Sequence, residues 1–266
     1  MNVNERFKMP LIYQPSGKAR EYSPLALNIY NGCDHGCTYC YTPLIRRDPD
    51  QNKVVQLRNN FLETLERELS KNVFREQILL SFMCDPYSHF EMENELTKNS
   101  LAYLNLKKCK VAVLTKGGSR CLRDLSLFKE FGNKIKIGAT LTLIDEKQSI
   151  DIEPRAALPV DRLSALEYLH DNGIKTWVSI EPVIDPIQSL ELIKNSITFV
   201  DQYKIGKMNH FEKRFNPNID WEKFMTDSVS ILRNANKQFY IKEDLRAFDS
   251  NKILLPIECD MNALNL

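Results

Sequence analysis

The chain has 266 residues, 43% apolar and 27% charged, which is enough material to enclose a sizeable core and reads as one globular domain. Its 36 basic and 35 acidic side chains give a formal net charge of +1, so no global charge points to nucleic acid or a membrane surface, and any such contact has to be local. The first residues, with Asn2, Asn4, Glu5 and Arg6, lack the apolar core of a signal peptide, and no later stretch reaches the roughly 18 apolar residues of a membrane span. A cytoplasmic location is therefore expected. Seven cysteines is an odd number for a chain too large to need disulfide staples, and three of them fall within eight positions, which points to reduced thiols and a metal site.

In chain order, a polar leader with Pro10 and Pro15 gives way to residues 25–30, which read as a first strand ending at Asn31-Gly32, directly before the cysteines. The cysteines therefore sit on a loop. Residues 61–69, apolar at Phe61, Leu62, Leu65 and Leu69, have helical spacing, and residues 78–83 form a short apolar strand. The alternation continues with a helix over 96–106, a strand over 111–115, a helix over 122–131 and a strand over 136–143, punctuated by Gly117-Gly118 and Gly132-Asn133. A helix over 161–170 stops at Asn172-Gly173 before a strand over 175–180; a helix over 187–194 precedes a strand over 198–205; a last helix covers 221–234.

Six strands alternating with helices call for a parallel sheet, because each crossover helix returns the chain to the same direction. The expected fold is α/β, a partial (β/α)6 barrel of the TIM type in a single domain spanning 1–266, with a core of about residues 25–236, an N-terminal extension 1–24 and a C-terminal extension 237–266. A doubly wound open sheet is the alternative, since periodicity does not give strand order. In both, chemistry gathers at the C-terminal ends of the strands.

The segment Gly32-Cys33-Asp34-His35-Gly36-Cys37-Thr38-Tyr39-Cys40-Tyr41 carries three thiols at the spacing C-x3-C-x2-C. Such a loop can wrap three thiolates around one inorganic cluster. The competing reading is a zinc site made by the three thiols with His35 or a distant cysteine. A small zinc ribbon usually shows a second C-x2-C pair, however, and Cys84, Cys109, Cys121 and Cys259 are scattered.

With that loop directly after the first strand, the sequence resembles the radical S-adenosylmethionine (SAM) superfamily. The resemblance implies a partial (β/α) barrel of the radical SAM kind and two cofactors. A four-iron four-sulfur cluster would be held by Cys33, Cys37 and Cys40, and its fourth iron would chelate SAM. Reductive cleavage of SAM would give a 5′-deoxyadenosyl radical that abstracts hydrogen from a substrate, the protein supplying geometry and shielding.

A finer resemblance, over about residues 28–209, is to the spore photoproduct lyase-like branch, carried by Asn28-Ile29-Tyr30-Asn31-Gly32-Cys33, His35-Gly36-Cys37 and Tyr39-Cys40-Tyr41. It implies that Tyr39 and Tyr41 flank cluster and SAM, with Tyr41 close to the chemistry. Asp85, in Ser81-Phe82-Met83-Cys84-Asp85-Pro86-Tyr87, would face the SAM amino end, and Cys84 would return hydrogen to the product radical. Lys116 in Leu114-Thr115-Lys116-Gly117-Gly118 would pair with the SAM carboxylate, and Thr140 would be a ligand on the fourth strand. Glu181 in Ser179-Ile180-Glu181-Pro182 would hold the SAM ribose or the substrate, and Gly206 would let backbone approach the adenine. Each has a plainer reading: packed aromatics, an Asp-Pro turn, a buried thiol, a solvated lysine, a strand-forming threonine, turn chemistry.

After the sixth strand, Lys204, Lys207, His210, Lys213 and Arg214 alternate with Phe211 and Phe215, a mixture that contacts phosphates and stacks bases, or a solvated loop anchored by two phenylalanines. With the branch resemblance, this points to a nucleobase in DNA or RNA as substrate, as in a repair lyase. An enzyme acting on a protein, peptide or small molecule is the second reading, and a nonenzymatic zinc or iron-sulfur module the third. A reducing partner such as flavodoxin or ferredoxin is implied, and no membrane.

Overall fold

The computed structural model describes residues 10–208, 215 and 218–266. Its strands are β1 (Ile12–Tyr13), β2 (Leu25–Leu27), β3 (Asn31–Gly32), β4 (Val55–Gln56), β5 (Gln77–Leu80), β6 (Lys110–Thr115), β7 (Ile135–Thr140), β8 (Lys175–Ile180), β9 (Gln202–Ile205) and β10 (Gln238–Ile241). Eight of them join one sheet in the order β1-β2-β5-β6-β7-β8-β9-β10. From β2 to β10 every neighbouring pair is parallel, and β1 is antiparallel at the edge. β3 and β4 pair separately beside the cysteine loop. A strand order that never reverses is that of a partial (β/α) barrel; a doubly wound sheet would turn back at a switch point.

Local chemistry sets the helix ends. Asp185 accepts the amides of Ile187 at 2.8 Å and Gln188 at 3.3 Å, and with Pro186 it starts the helix Pro186–Ser196. Asp220 does the same for Trp221–Asn234 through the Lys223 amide at 2.9 Å. Along the strands, the two-residue alternation sorts side chains between faces. Ile78, Leu80, Val111, Val113, Ile135 and Ile137 lie in one outer cluster under the helices; Val178, Ile180, Tyr203, Ile205, Phe239 and Ile241 lie in a second. The inward positions Leu79, Ala112 and Trp177 form a small cluster of their own with Tyr22, Phe82 and Leu114.

The rest of the inward face is polar, and the two chain extensions fill it. Lys136 Nζ donates to Gln202 Oε1 at 3.0 Å and to Leu264 O at 2.5 Å; Lys204 Nζ donates to Glu21 O at 2.5 Å and Tyr22 O at 3.0 Å. A buried ammonium needs such acceptors, and the extensions bring most of them, with Gln202 on β9 supplying one for Lys136. Glu21 Oε1 also accepts the Tyr240 hydroxyl and the Glu243 amide, each at 2.7 Å, which ties the N-terminal segment to β10. The extensions are therefore parts of the barrel, and β10 adds a seventh parallel strand to the six expected.

Strand ends are shorter than the apolar runs suggest. The expected strand over 78–83 ends at Leu80 because the amides of Phe82 and Met83 both bond Asn28 Oδ1, at 2.9 Å, in place of a sheet neighbour. The expected strand over 198–205 begins at Gln202, since Phe199 and Val200 return their amides to Ser196 at the end of the preceding helix. Among the described residues no helix is long and apolar enough to cross a membrane.

Candidate active site

The cysteine loop lies at the C-terminal ends of β2, β5 and β6, and its backbone is held from two sides. Cys33 N donates to Gln51 O at 3.0 Å and Gly36 N to Asn52 O at 2.8 Å; Thr38 N donates to Ile152 O at 2.9 Å, and His35 O accepts Arg155 N at 3.1 Å. Asn52, itself buried, donates its side-chain amide to Cys37 O at 2.9 Å. All three thiols are free, Cys37 buried and Cys33 and Cys40 half-buried. Burial pushes the Cys37 thiol to about 12, with Lys116 the largest opposing charge, and raises Cys33 as well.

Asp85 is the hub between this loop and the sheet. Its Oδ1 accepts the Thr115 hydroxyl at 2.6 Å and the Tyr87 amide at 2.8 Å, its Oδ2 accepts the Lys116 amide at 2.7 Å, and His35 Nδ1 lies 3.5 Å from Oδ2. Burial opposes the charged form, but His35, the Thr115 hydroxyl and the two amides keep the carboxyl below its usual range. Both oxygens of Asp85, expected to face the SAM amino end, accept hydrogen bonds from this chain. On the far side of the imidazole, Arg120 Nη2 approaches His35 Nε2 at 3.4 Å.

Lys116 and Tyr39 come together as a second group. The Lys116 ammonium sits 5.4 Å from the centroid of the Tyr39 ring and 4.0 Å from Glu153 Oε1. The Tyr39 hydroxyl bonds Glu153, whose other oxygen accepts Arg162 Nη2 at 2.5 Å. Burial would lower the Lys116 ammonium, but Cys37 and Glu153 raise it. Glu153 and Arg162 were not foreseen. Glu153 is a lone carboxylate beside a proline, and the partner that marks it is nine residues on in sequence, inside the helix Pro159–Asp171.

A third group lies at the ends of β8 and β10. Glu181 Oε2 accepts Lys242 Nζ at 2.6 Å and the Tyr22 hydroxyl, and that hydroxyl lies 2.8 Å from Ser179 Oγ. Lys242 also stacks on Tyr22, 4.5 Å from the ring centroid. The space over Gly206 is taken up by these side chains, with Lys242 Cδ 2.9 Å and Glu181 Cδ 3.0 Å from where a Cβ would stand. Tyr22 and Lys242 lie in the stretches the sequence reading set aside as extensions.

The other candidates separate. Tyr41 donates to Phe82 O at 3.2 Å and stays beside the loop. Cys84 is buried in the outer cluster with Ile29, Tyr30 and Tyr87, its sulfur accepting the Tyr30 amide at 3.4 Å, the placement of a core thiol. Thr140 is buried, and its carbonyl accepts Arg162 Nη1 at 3.0 Å. The expectation that Lys204 contacts phosphate is corrected, because its ammonium points into the barrel between Tyr22 and Tyr240. Lys207 lies over Trp221 and Phe248, at 5.3 and 5.1 Å. His210, Lys213 and Arg214, with Phe211, lie outside the described residues.

The residues fit the cluster and SAM that the loop implies. Asp34 Oδ1 and Thr38 Oγ1 in the loop, and Thr142 Oγ1 beyond β7, are buried with no hydrogen-bond partner, and a cation stands near the thiols to offset thiolate charge. Among the described residues no three His, Cys, Asp or Glu side chains gather as the ligands of a single metal ion would.

The family model for the radical SAM superfamily matches residues 27–200, which takes in the cysteine loop and the ends of β5 to β8, and the chain belongs to that superfamily. It is similar to the uncharacterized protein MJ0683 of Methanocaldococcus jannaschii, 31% identical over 170 residues, which cover 63% of this chain and 63% of that protein. It is also similar to the uncharacterized protein Rv2578c of Mycobacterium tuberculosis, 26% identical over 167 residues, 59% of this chain and 49% of the other. The match thus spans less than two thirds of the length of either relative. A cysteine-to-alanine mutant of spore photoproduct lyase with dinucleoside spore photoproduct has a similar structure, with a TM-score of 0.64 at 12% identity over 86% of this chain and 78% of that one. Streptococcus suis SuiB bound to precursor peptide SuiA gives 0.60 at 17% identity, over 84% and 50%. At these identities the likeness is one of fold, and it extends to more than one branch.

Proposed function

We propose that the chain is a radical SAM enzyme, with Cys33, Cys37 and Cys40 holding a four-iron four-sulfur cluster and the strand ends binding SAM beside it. The observation that carries this reading is the set of three free thiols on a loop braced from both flanks, with Lys116 as the main opposing charge on Cys37. When bound, cluster and SAM supply one-electron cleavage of the sulfonium and, through it, hydrogen abstraction from a substrate. This chain's residues bind, orient and exclude water. Lys116 offsets thiolate charge and is the cation for the SAM carboxylate. Tyr39, fixed by Glu153 and Arg162, and Tyr41 wall the site, and Thr140 at the end of β7 is a further ligand. Asp85 positions His35 and the Lys116 backbone. Glu181, oriented by Lys242 and Tyr22, accepts a hydroxyl of SAM or substrate. The core placement of Cys84 does not support hydrogen return from that thiol.

Anaerobic reconstitution tests this reading: about four irons and four sulfides per chain are expected, with an electron paramagnetic resonance signal that SAM perturbs. Cys37→Ala loses both. Retention of one zinc per chain and no iron would contradict the proposal and leave the metal-binding module.

For the substrate, a nucleobase and a peptide or small molecule both stand. The nucleobase reading is weakened by the burial of Lys204 and the stacking of Lys207, and rests on Lys213, Arg214 and His210 together with the branch resemblance. An oligonucleotide titration at two salt concentrations decides: nucleic-acid affinity that falls steeply with salt, and falls again on charge reversal at Lys213 and Arg214, supports it. Salt-independent or absent binding moves the substrate to the second class.

A further inference from the structure

We propose that Arg58, Tyr13 and Arg46 form an oxyanion subsite beside the cysteine loop that takes a phosphate group of the substrate, an inference that rests on the enzyme reading above. Asn28, directly after β2, builds it. Its carbonyl accepts Arg58 Nη1 at 2.5 Å, and its side-chain amide donates to the Tyr13 hydroxyl at 2.8 Å. Its Oδ1 accepts the amides of Phe82 and Met83 at 2.9 Å, and the Phe82 carbonyl accepts the Tyr41 hydroxyl at 3.2 Å. One residue therefore ties Arg58 and Tyr13 to the tyrosine that follows Cys40 in the loop. Burial pushes the Tyr41 hydroxyl up, and Cys40, Tyr13 and Glu181 add to the rise, so Tyr41 stands between the loop, the subsite and the Glu181 group.

Donors gather here without an acceptor. Arg58 is half-buried, its guanidinium 5.1 Å from the centroid of the Phe61 ring, and its Nη2 and Nε make no hydrogen bond among the described residues. Burial lowers that guanidinium against the Cys84 thiol, and Arg46, at the end of the helix Thr42–Arg46, lowers it further. The same two arginines oppose the burial that raises the Tyr13 hydroxyl. The Tyr13 oxygen accepts from Asn28, which leaves its own proton to donate. Among the described residues no carboxylate forms an ion pair with Arg46 or Arg58. Glu68 also acts on Arg58, but its two oxygens accept the amides of Leu11 at 2.8 Å and Ile12 at 3.0 Å.

Two guanidinium groups that sense each other repel, and a half-buried charge with no counterion is costly, so an anion from outside the chain stabilises the arrangement. Two planar forks and a phenol offer donors to more than two oxygens. A phosphate monoester, with three strong acceptor oxygens and a charge of about −2, meets them. A carboxylate, with one charge, leaves one cation unmatched. The subsite binds and orients; it takes no part in bond breaking.

The test is a calorimetric titration of the reconstituted chain with inorganic phosphate at constant ionic strength. Phosphate is expected to bind and acetate to bind about tenfold more weakly; Arg58→Gln and Arg46→Gln should each weaken phosphate by about tenfold, and Tyr13→Phe by about threefold. The Arg46 side chain makes no hydrogen bond among the described residues, so Arg46→Gln should melt at the wild-type temperature and report on the ligand alone. Glycerol 3-phosphate and a dinucleotide then separate the sources. Tighter binding of the monoester, weakened in the same variants, assigns a small phosphorylated substrate, and tighter binding of the dinucleotide, weakened likewise, assigns a phosphodiester. No phosphate binding by the wild-type chain, wild-type affinity in both arginine variants, or acetate bound as tightly as phosphate would overturn the proposal. Failure of the enzyme reading has a different signature: phosphate still binds at these residues but SAM gives no 5′-deoxyadenosine under dithionite, which removes the substrate role and with it the proposal.

Discussion

Lys204 sits on the inward face of β9 with its ammonium on two backbone carbonyls and between the rings of Tyr22 and Tyr240. Burial, helped by Lys242 and opposed by Glu21, lowers its pKa from 10.5 to about 7. Between about pH 7 and 10 the unfolded chain therefore binds more protons than the folded one, and stability rises with pH across that window by up to about 1.4 kcal/mol per unit. Lys204→Met should flatten this slope, although Lys136, also depressed by burial and by Lys204, keeps a share of it. Urea unfolding at pH 7 and pH 9 measures the difference, and equal slopes in both proteins would show that Lys204 keeps its charge when buried. Asp85→Asn is a different kind of loss. The amide cannot accept from the Thr115 hydroxyl, the Lys116 and Tyr87 amides and His35 together, so roughly 3 kcal/mol and about 5–10 °C in Tm should go, read by calorimetry on the apo chain.

Elements with clear periodicity and flanking turn chemistry were legible in the sequence. The strand Lys175–Ile180 and the helices Leu96–Leu106 and Trp221–Asn234 have the limits their patterns indicate. β10 was not legible, because Gln238–Ile241 is only four residues long, alternates no more clearly than a loop, and gains its identity from pairing with β9. The inner face was hidden for a related reason: Lys136, Lys204 and Tyr240 look solvent-bound until the extensions supply their partners. The cysteine spacing could be read because one loop contains it, whereas Tyr22, Glu153, Arg162 and Lys242 join the site through contacts between distant stretches. Gly138 in β7 also needs the fold to explain it. A Cβ there would stand inside the indole of Trp177, which is pinned by its Nε1 donating to Val113 O at 3.0 Å. Gly138→Ala should cost about 2–3 kcal/mol, measured by denaturant unfolding; a neutral result would mean that the indole is free to move.

At the scale of the whole molecule, a seven-stranded parallel sheet is plugged by its own extensions and leaves the strand ends and the cysteine loop to carry the chemistry. Ending the chain at Asn262 removes Leu264 O from Lys136 and both tail bonds from Gln77, so the barrel should lose roughly 3 kcal/mol while the loop bonds around Cys33 and Cys37 remain. Retention of full stability in that variant would show that water replaces the plug. The chemistry depends on the three thiols, and its most direct measurement is the yield of 5′-deoxyadenosine from SAM under anaerobic reduction with dithionite, in the wild-type chain and in Cys37→Ala. The wild-type chain should form it in step with its cluster content and Cys37→Ala should form none; equal yields from the two, or none from a wild-type chain with a full cluster, would contradict the account.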